Sequence, residues 1–447
     1  MGKLFGTDGI RGIANEGLDA LLAFKVGRAA AAVLAEGSEG RTLFTIGKDT
    51  RISSDMLEAA LTAGLCSAGA DVMPLGVVPT PAVAYITMKA GADAGIVISA
   101  SHNPFEYNGI KIFNGSGFKL SDELEAAIED IILNDLPVAR AAGAQLGRVV
   151  GGGEEFVKAY IDRLESLADN ISGLRAVIDC SNGAASVTAR KLFSRFDMDL
   201  TLIHDEPDGV NINDKCGSTN MKALCEKVRE GGYDIGIAFD GDADRCLVVD
   251  ETGRELDGDH IMAICGSRMK KQGKLKNDYI VATVMSNIGF KLFAEKEGIE
   301  LRCASVGDRH VLEMMQDIGA NLGGEQSGHL IFLDDSTTGD GQLAAVKILS
   351  LLSAEQKPLS ELAKDFVQYP QVLINVSVKS DADKKRIMDS EELARAVKDA
   401  ETELDGKGRV LIRASGTEAL IRVMVEAFDS QQAESIAQRL SDAVAAL

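Results

Sequence analysis

A chain of 447 residues, 45% hydrophobic and 26% charged, is long enough for about three domains and apolar enough to bury their cores, which excludes disorder, collagen and a disulfide scaffold. Its formal net charge of −21 argues against nucleic acid and anionic membranes as partners, because both are bound chiefly through Lys and Arg. A phosphate-binding site on such a chain must gather its cations locally.

The first residues, Met1-Gly2-Lys3-Leu4, carry no basic-then-apolar leader pattern, and Gly6 stands where a myristoylation signal needs Ser or Thr. No apolar run reaches the length of a membrane span, so the expectation is a soluble, cytoplasmic protein. Phe5-Gly6-Thr7-Asp8-Gly9-Ile10-Arg11-Gly12 is a glycine-rich polar loop. Thr42-Leu43-Phe44-Thr45-Ile46-Gly47 reads as a strand, leading through Ser53-Ser54-Asp55 into a helix with Leu57, Leu61 and Leu65 on one face.

Ala94-Gly95-Ile96-Val97-Ile98 predicts a buried strand that delivers Ser99-Ala100-Ser101-His102-Asn103-Pro104 to a sheet edge. Pro104 holds the residue before it extended, and strand-end loops of open α/β sheets are where ligands bind. Ser101 is thus a candidate nucleophile. A lone serine there more often serves as a turn hydrogen-bonder; the other motifs reverse that balance. His102 could orient a group or exchange protons, or be structural.

Gly151-Gly152-Gly153 precedes a helix starting near Glu154 and marks a boundary near residue 150. Arg175-Ala176-Val177-Ile178-Asp179 repeats the strand theme, leading through Ser181-Asn182-Gly183 into an alanine-rich helix. Asp240, Asp242 and Asp244 then sit in a turn between the apolar runs 235–239 and 246–249. Crowded carboxylates repel unless a hard cation neutralises them, and oxygen-only ligands favour Mg²⁺ or Ca²⁺. An EF-hand fails, because Arg245 takes the place of its turning glycine and the flanks read as strands rather than helices. A Mg²⁺ site is favoured over a solvated acidic turn.

Tyr279-Ile280-Val281-Ala282-Thr283-Val284 and Ser286-Asn287 give the theme a third time, so three related αβα domains with partly parallel sheets are expected. Gly324-Glu325-Gln326-Ser327-Gly328-His329 is a polar loop in which Glu325 and Ser327 would suit vicinal sugar hydroxyls beside a phosphate pocket. Past Tyr369-Pro370, residues 372–378 alternate like a strand and residues 430–447 read as a closing helix, a smaller α+β domain. Within it Arg413-Ala414-Ser415-Gly416-Thr417-Glu418 follows the strand 409–412. Small residues let backbone N–H groups approach phosphate there, and Arg413, Ser415, Thr417 and a second fork from Arg422 add donors; a plain hairpin is the alternative. The expected domains are 1–150, 151–254, 255–368 and 369–447.

Other motifs fail. Gly47-Lys48-Asp49 is no Walker loop, Gly406-Lys407-Gly408 lacks the third glycine of a dinucleotide fingerprint, and H-E-x-x-H is absent. The seven cysteines form no C-x-x-C pair and read as small hydrophobes of a reducing compartment. Cys180 and Cys246, beside candidate site turns, are the two that could meet thiol reagents.

Together these motifs resemble those of the α-D-phosphohexomutase superfamily, over nearly the whole chain. The opening loop and Gln326 are most similar to its bacterial branch acting on glucosamine phosphates. The resemblance implies three related αβα domains and a smaller C-terminal domain around a central cleft, and a chain compatible with a homodimer. It implies interconversion of glucosamine 6-phosphate and glucosamine 1-phosphate through a phosphoserine at Ser101 and a 1,6-bisphosphate, feeding UDP-N-acetylglucosamine and peptidoglycan-precursor synthesis. A hexose 1,6-bisphosphate would serve as intermediate and activator. Mg²⁺ would be held by Asp240, Asp242, Asp244 and a phosphoserine oxygen. Arg11, Lys111 and Arg245 would be the cations at the reacting end, with Lys111 or His102 assisting proton transfer. Glu325 and Ser327 would contact the sugar, and Arg413, Ser415, Gly416, Thr417 and Arg422 would grip the idle phosphate. Two positions depart from the family pattern: Ala419 replaces a usual proline and His310 a usual tyrosine. The alternatives are a phosphomannomutase or phosphoglucomutase, a Mg²⁺-dependent sugar phosphatase, and a sugar-phosphate sensor.

Overall fold

The computed structural model describes residues 4–6, 8–35, 40–415 and 419–447. The chain divides into two compact units, Met1–Met285 with Ile299–Ala363 and Ser286–Gly298 with Lys364–Leu447. No helix among the described residues is long and apolar enough to cross a membrane.

The first unit contains three mixed sheets built on one plan. In each, a first strand pairs in parallel with a second strand on one side and a central strand on the other, and a return strand runs antiparallel beside the central one. In the first sheet these are, in that order, Leu43–Lys48, Asp71–Val77, Ala94–Ile98 and Tyr107–Asn114. In the second they are Ser172–Asp179, Asp197–Ile203, Ile235–Phe239 and Cys246–Asp250. In the third they are Tyr279–Thr283, Glu300–Ala304, Leu322–Gly324 and Leu330–Phe332. Phe5–Gly6 and Gly9–Ile13 extend the first sheet beyond its return strand, and Glu255–Leu256 extends the second.

The plan follows from the residues. Ala94–Ile98, Ile235–Phe239 and Leu322–Gly324 are buried along their whole lengths, so nothing polar interrupts them; the first two are runs of β-branched, aromatic and small residues, as two-face burial requires. Helices cover the faces, their first turns fixed by side-chain caps: Asp19 accepts from the Leu22 N–H, Asp257 from His260 and Asp340 from Leu343. Every central strand therefore ends in a loop, residues 99–106, 240–245 or 325–329, pulled back by the return strand. These are three of the four polar segments of the first unit singled out in the sequence; the fourth, read as a loop over residues 5–12, instead carries the antiparallel strands Phe5–Gly6 and Gly9–Ile13.

The second unit is an antiparallel sheet in the order Gln371–Ser377, Leu420–Ala427, Gly408–Ala414, packed under Ser430–Ala446. The helix Ile288–Glu297 joins it: buried Glu426 accepts from the Ile288 N–H at 2.8 Å, and Phe290 and Phe293 pack on Phe366.

Candidate active site

Ser101 is 1% exposed and holds φ at 53°, a left-handed conformation costing a non-glycine residue about 1–2 kcal/mol. Its hydroxyl donates to Asp240 Oδ2 at 2.6 Å and lies 3.3 Å from His102 Nδ1. The serine loop and the acidic loop, from different sheets, therefore meet directly. Burial, reinforced by the positive charge of Arg245 and Arg11, pushes the His102 imidazole down to about 4, so the ring is neutral near pH 7.

Asp240, Asp242 and Asp244 are buried and each offers an oxygen within 4.8 Å of the others'. Burial and the neighbouring carboxylates of Asp244 and Asp242 push Asp240 well above the usual carboxylate range. Burial would raise Asp242 too, but Lys111 and the Thr80 hydroxyl outweigh it and hold that group down. Asp242 Oδ1 and Asp244 Oδ1 are buried without a hydrogen-bond partner, an arrangement that costs free energy unless a cation completes it. An all-oxygen cradle of mutually repelling carboxylates fits a hard dication. Thr80 secures the loop from the first section, its hydroxyl donating to Asp242 Oδ2 at 2.7 Å and its N–H to the Asp242 carbonyl at 2.9 Å. Gly241 permits the approach, since a Cβ there would stand 2.5 Å from the Ser101 carbonyl oxygen.

Cations surround this cradle. Lys111, 1% exposed, reaches Asp8 and Asp242 at 3.0 Å and Asp244 at 3.6 Å. Burial would push it down, yet those three carboxylates hold it above its ordinary value, so it stays an ammonium ion. Lys119 bridges Asp8 at 2.5 Å and Asp308 at 2.6 Å, and Arg11 pairs with Asp8. Burial notwithstanding, Lys111, Lys119 and Arg11 hold Asp8 well below the usual range. Arg245 donates its backbone N–H to Asp240 Oδ1 at 3.2 Å and brings Nε to 3.9 Å from Oδ2.

The 325–329 loop docks beside these groups, with the Cys246 N–H donating to the Gly328 carbonyl at 2.9 Å and Arg245 bridged to His329. Glu325 accepts from the Gly307 N–H at 3.0 Å, Gln326 donates to Asp257 at 3.1 Å, and Ser327 is exposed. His329 is buried, 3.8 Å from Asp308, with neither ring nitrogen hydrogen-bonded. His310 instead faces Glu313 at 3.5 Å.

In the second unit Arg413 and Arg422 stand directly opposite each other on paired strands. Two arginines at facing positions of one strand pair are suited to donating to a single anion. Lys384 donates to the Ser415 carbonyl at 2.7 Å, a third cation at this loop that the sequence reading missed. Gly416 and Thr417 lie outside the described residues.

The sequence reading also missed Asp49-Thr50-Arg51, which has no recognisable motif but follows a first strand. Arg51 and Asp49 form a fully buried ion pair at 2.8 Å. Thr50 donates to the Asn182 carbonyl at 2.6 Å, tying the first section to the second. Thr80, Lys119 and Asn213 carried no signal beyond being polar. Cys180 and Cys246 are small buried hydrophobes, as read for the cysteines in general, and not the reagent-accessible thiols that their place beside site turns allowed: both are completely buried, and burial pushes their thiols far up. Asp179, His204 and Cys216 form a second compact group. Asp179 accepts from the Ser181 N–H at 2.8 Å and the Gly217 N–H at 3.0 Å, so its carboxylate braces the turns at both residues.

Comparison with known proteins gives this geometry its relatives. Models of the phosphoglucomutase/phosphomannomutase family match in four parts: α/β/α domains I, II and III over residues 2–137, 154–253 and 257–369, and the C-terminal domain over 373–443. A phosphoglucosamine mutase of Alkaliphilus oremlandii is 52% identical over 99% of this chain and 98% of its own. One from Thermoanaerobacter sp. is 50% identical over 99% of both. A crystal structure of a phosphoglucomutase/phosphomannomutase family protein from Burkholderia thailandensis superposes with a TM-score of 0.81 at 23% identity, covering 99% and 97% of the two chains. The Aspergillus fumigatus N-acetylphosphoglucosamine mutase, in complex with GlcNAc-6P and magnesium, does so with a TM-score of 0.69 at 18% identity, over 99% and 95%. With all four family domains matched in order, the chain belongs to the phosphoglucomutase/phosphomannomutase family.

Proposed function

We propose that this protein interconverts glucosamine 6-phosphate and glucosamine 1-phosphate in the cytoplasm, with Ser101 carrying the transferred phosphoryl group and the domains dividing near residues 150, 254 and 368. The observation that carries the reading is the Ser101 hydroxyl 2.6 Å from an acidic cradle flanked by Lys111 and Arg245; relatives of about half identity, named phosphoglucosamine mutase, support the amino-sugar substrate.

In the first half-reaction the phosphorus–oxygen bond to Ser101 breaks and one forms to the sugar O1, giving a 1,6-bisphosphate. The second half-reaction returns the phosphoryl group from O6 to Ser101. Lys111, Arg11 and Arg245 neutralise the transferring oxygens, a task of positioning and charge rather than of covalent chemistry. Neutral His102, with Nδ1 facing Oγ, is placed to take or return the hydroxyl proton. Asp240, Asp242 and Asp244, with an oxygen on Ser101, would hold Mg²⁺, which would supply further positive charge at the phosphoryl group. Glu325 and Ser327 would orient sugar hydroxyls, and Arg413, Ser415, Gly416, Thr417 and Arg422 would hold the idle phosphate. Three aspartates and a phosphoserine total about −5, of which one dication cancels two, so the cations of the protein are required.

Intact mass should show one added phosphate, lost in Ser101→Ala, and that variant should have no turnover in a coupled assay with glucosamine 6-phosphate, Mg²⁺ and a trace of hexose 1,6-bisphosphate. Normal activity of Ser101→Ala would refute the reading. Higher kcat/KM for glucose or mannose phosphates would reassign the substrate, and release of inorganic phosphate would reassign the reaction to a phosphatase.

A further inference from the structure

The conformation of Ser101 is imposed from outside it. Of the non-glycine residues with positive φ, Ser101, Ser181, Asn182, His204, Asn213 and Ala243 are all tied to this junction. Strain gathered in one place persists only where surrounding bonds over-determine it. For Ser101 the bonds come from two sides.

One side is Arg51. Its Nη2 donates to the carbonyls of Ser101 at 2.9 Å and Asn103 at 2.8 Å, while Nη1 reaches those of Pro104 and Tyr107. With Asp49 fixing its Nε, this buried guanidinium makes the loop a rigid piece of the first sheet's section. It does not aim that piece at the acidic loop, which belongs to the second sheet.

The other side is Asn213, in the connection between the second sheet's strands. Its Nδ2 donates to the Ser101 carbonyl at 2.9 Å and the Asn103 carbonyl at 3.1 Å. The same nitrogen lies 2.9 Å from where a Cβ on Gly241 would stand, so the amide sits where serine loop and acidic loop touch. Its own segment is pinned, since the Asn213 N–H donates to the Ser181 carbonyl at 2.9 Å and the Gly217 N–H to Asp179. Two carbonyl acceptors also decide the amide's orientation, because an oxygen in place of Nδ2 would face both of them.

We propose that Asn213 is a positioning residue for phosphoryl transfer: its amide ties the serine loop to the section that carries Asp240, Asp242 and Asp244, and so sets the direction of the Ser101 hydroxyl. Asn213 touches no reacting atom in this scheme, so its removal acts on kcat through geometry and leaves sugar recognition alone. The inference rests on the mutase reading.

The test uses full-length protein, with kcat and KM for glucosamine 6-phosphate, the melting temperature and the phosphoserine content measured on Asn213→Asp and Asn213→Ala. Aspartate keeps the size and tolerates the left-handed backbone, but turns a carboxylate oxygen toward two carbonyls. Asn213→Asp should lower kcat by about 10- to 100-fold, in line with small misplacements of reacting groups, with KM changed less than about twofold. Asn213→Ala, which adds no charge, should lower kcat by about 10-fold, again at constant KM, and decides the matter if the aspartate variant does not fold. Normal kcat in Asn213→Ala, or a loss expressed in KM alone, overturns the proposal. Ser101→Ala, measured alongside, separates the two claims: if it is active the mutase reading fails, whereas if it is dead and the Asn213 variants are normal only the positioning role fails.

Discussion

Replacing Gly241 by alanine tests the contact on which the site depends. Gly241 is not at positive φ, so alanine adds a methyl group without backbone strain. That methyl carbon would stand 2.5 Å from the Ser101 carbonyl oxygen, 2.8 Å from Ile212 Cδ1 and 2.9 Å from Asn213 Nδ2, where ordinary contact begins at 3.4 Å. The first of these is backbone held by Arg51 and Asn213, so it cannot swing aside as a flexible side chain would. Relief requires the two loops to part by about 0.9 Å, which would stretch the 2.6 Å Ser101–Asp240 contact beyond hydrogen-bonding range. Displacements of about 1 Å at reacting groups cost on the order of 100-fold in rate. Gly241→Ala should therefore lower kcat by about that factor, raise the Mg²⁺ concentration needed for half-maximal rate, and leave the fold intact by circular dichroism. Gly151→Ala, whose new methyl meets nothing within 4 Å, is the control and should be neutral. A Gly241→Ala enzyme with kcat within twofold of the parent would refute the claim that the loop-to-loop distance sets the chemistry.

Arg413→Ala should raise KM for glucosamine 6-phosphate by about 10- to 100-fold, the worth of a charge-assisted hydrogen bond of about 1.5–3 kcal/mol, while the Mg²⁺ dependence stays unchanged; unchanged KM would eliminate the clamp at the idle phosphate. Asp340 gives a pH prediction. Burial raises it to about 6 from 3.8, against the opposing hydrogen bonds from Leu343 and Tyr160, so the stability of its neutral form is present below pH 4 and lost as pH rises through about 6. A displacement of about 2 pH units is worth about 3 kcal/mol. Asp340→Asn, which keeps the helix cap, should lose less stability than the parent between pH 4 and pH 7, measured by urea unfolding; equal losses would show that Asp340 does not titrate in this window.

The central strands were readable because burial on both faces demands unbroken apolar runs, and residues 94–98 and 235–239 are such runs. The loops after them were readable because few reactions need three carboxylates in five residues, or Arg and small polar residues at a hairpin. Asp49, Arg51, Thr80 and Asn213 were not readable. Arg51, Thr80 and Asn213 act through hydrogen bonds to backbone atoms or to a carboxylate far away in sequence, and Asp49 through Arg51 and the hydroxyls of Ser54 and Ser99; such bonds leave no periodicity or spacing behind. Arg413 and Arg422 were each visible, but their standing face to face is a matter of strand register.

What the amino-acid order determined by itself was the inventory: which groups can carry phosphate, hold a cation or donate to an anion, and that the serine and acidic motifs each follow a strand. The tertiary structure decided their angles and neighbours. Ser101 and Asp240 meet because two separately built sheets present their loops to one another, and because a glycine, a buried arginine and an asparagine amide remove every obstacle and freedom between them. Chemical identity is a local property of the chain, whereas a 2.6 Å contact between loops of different sheets is a property of packing alone.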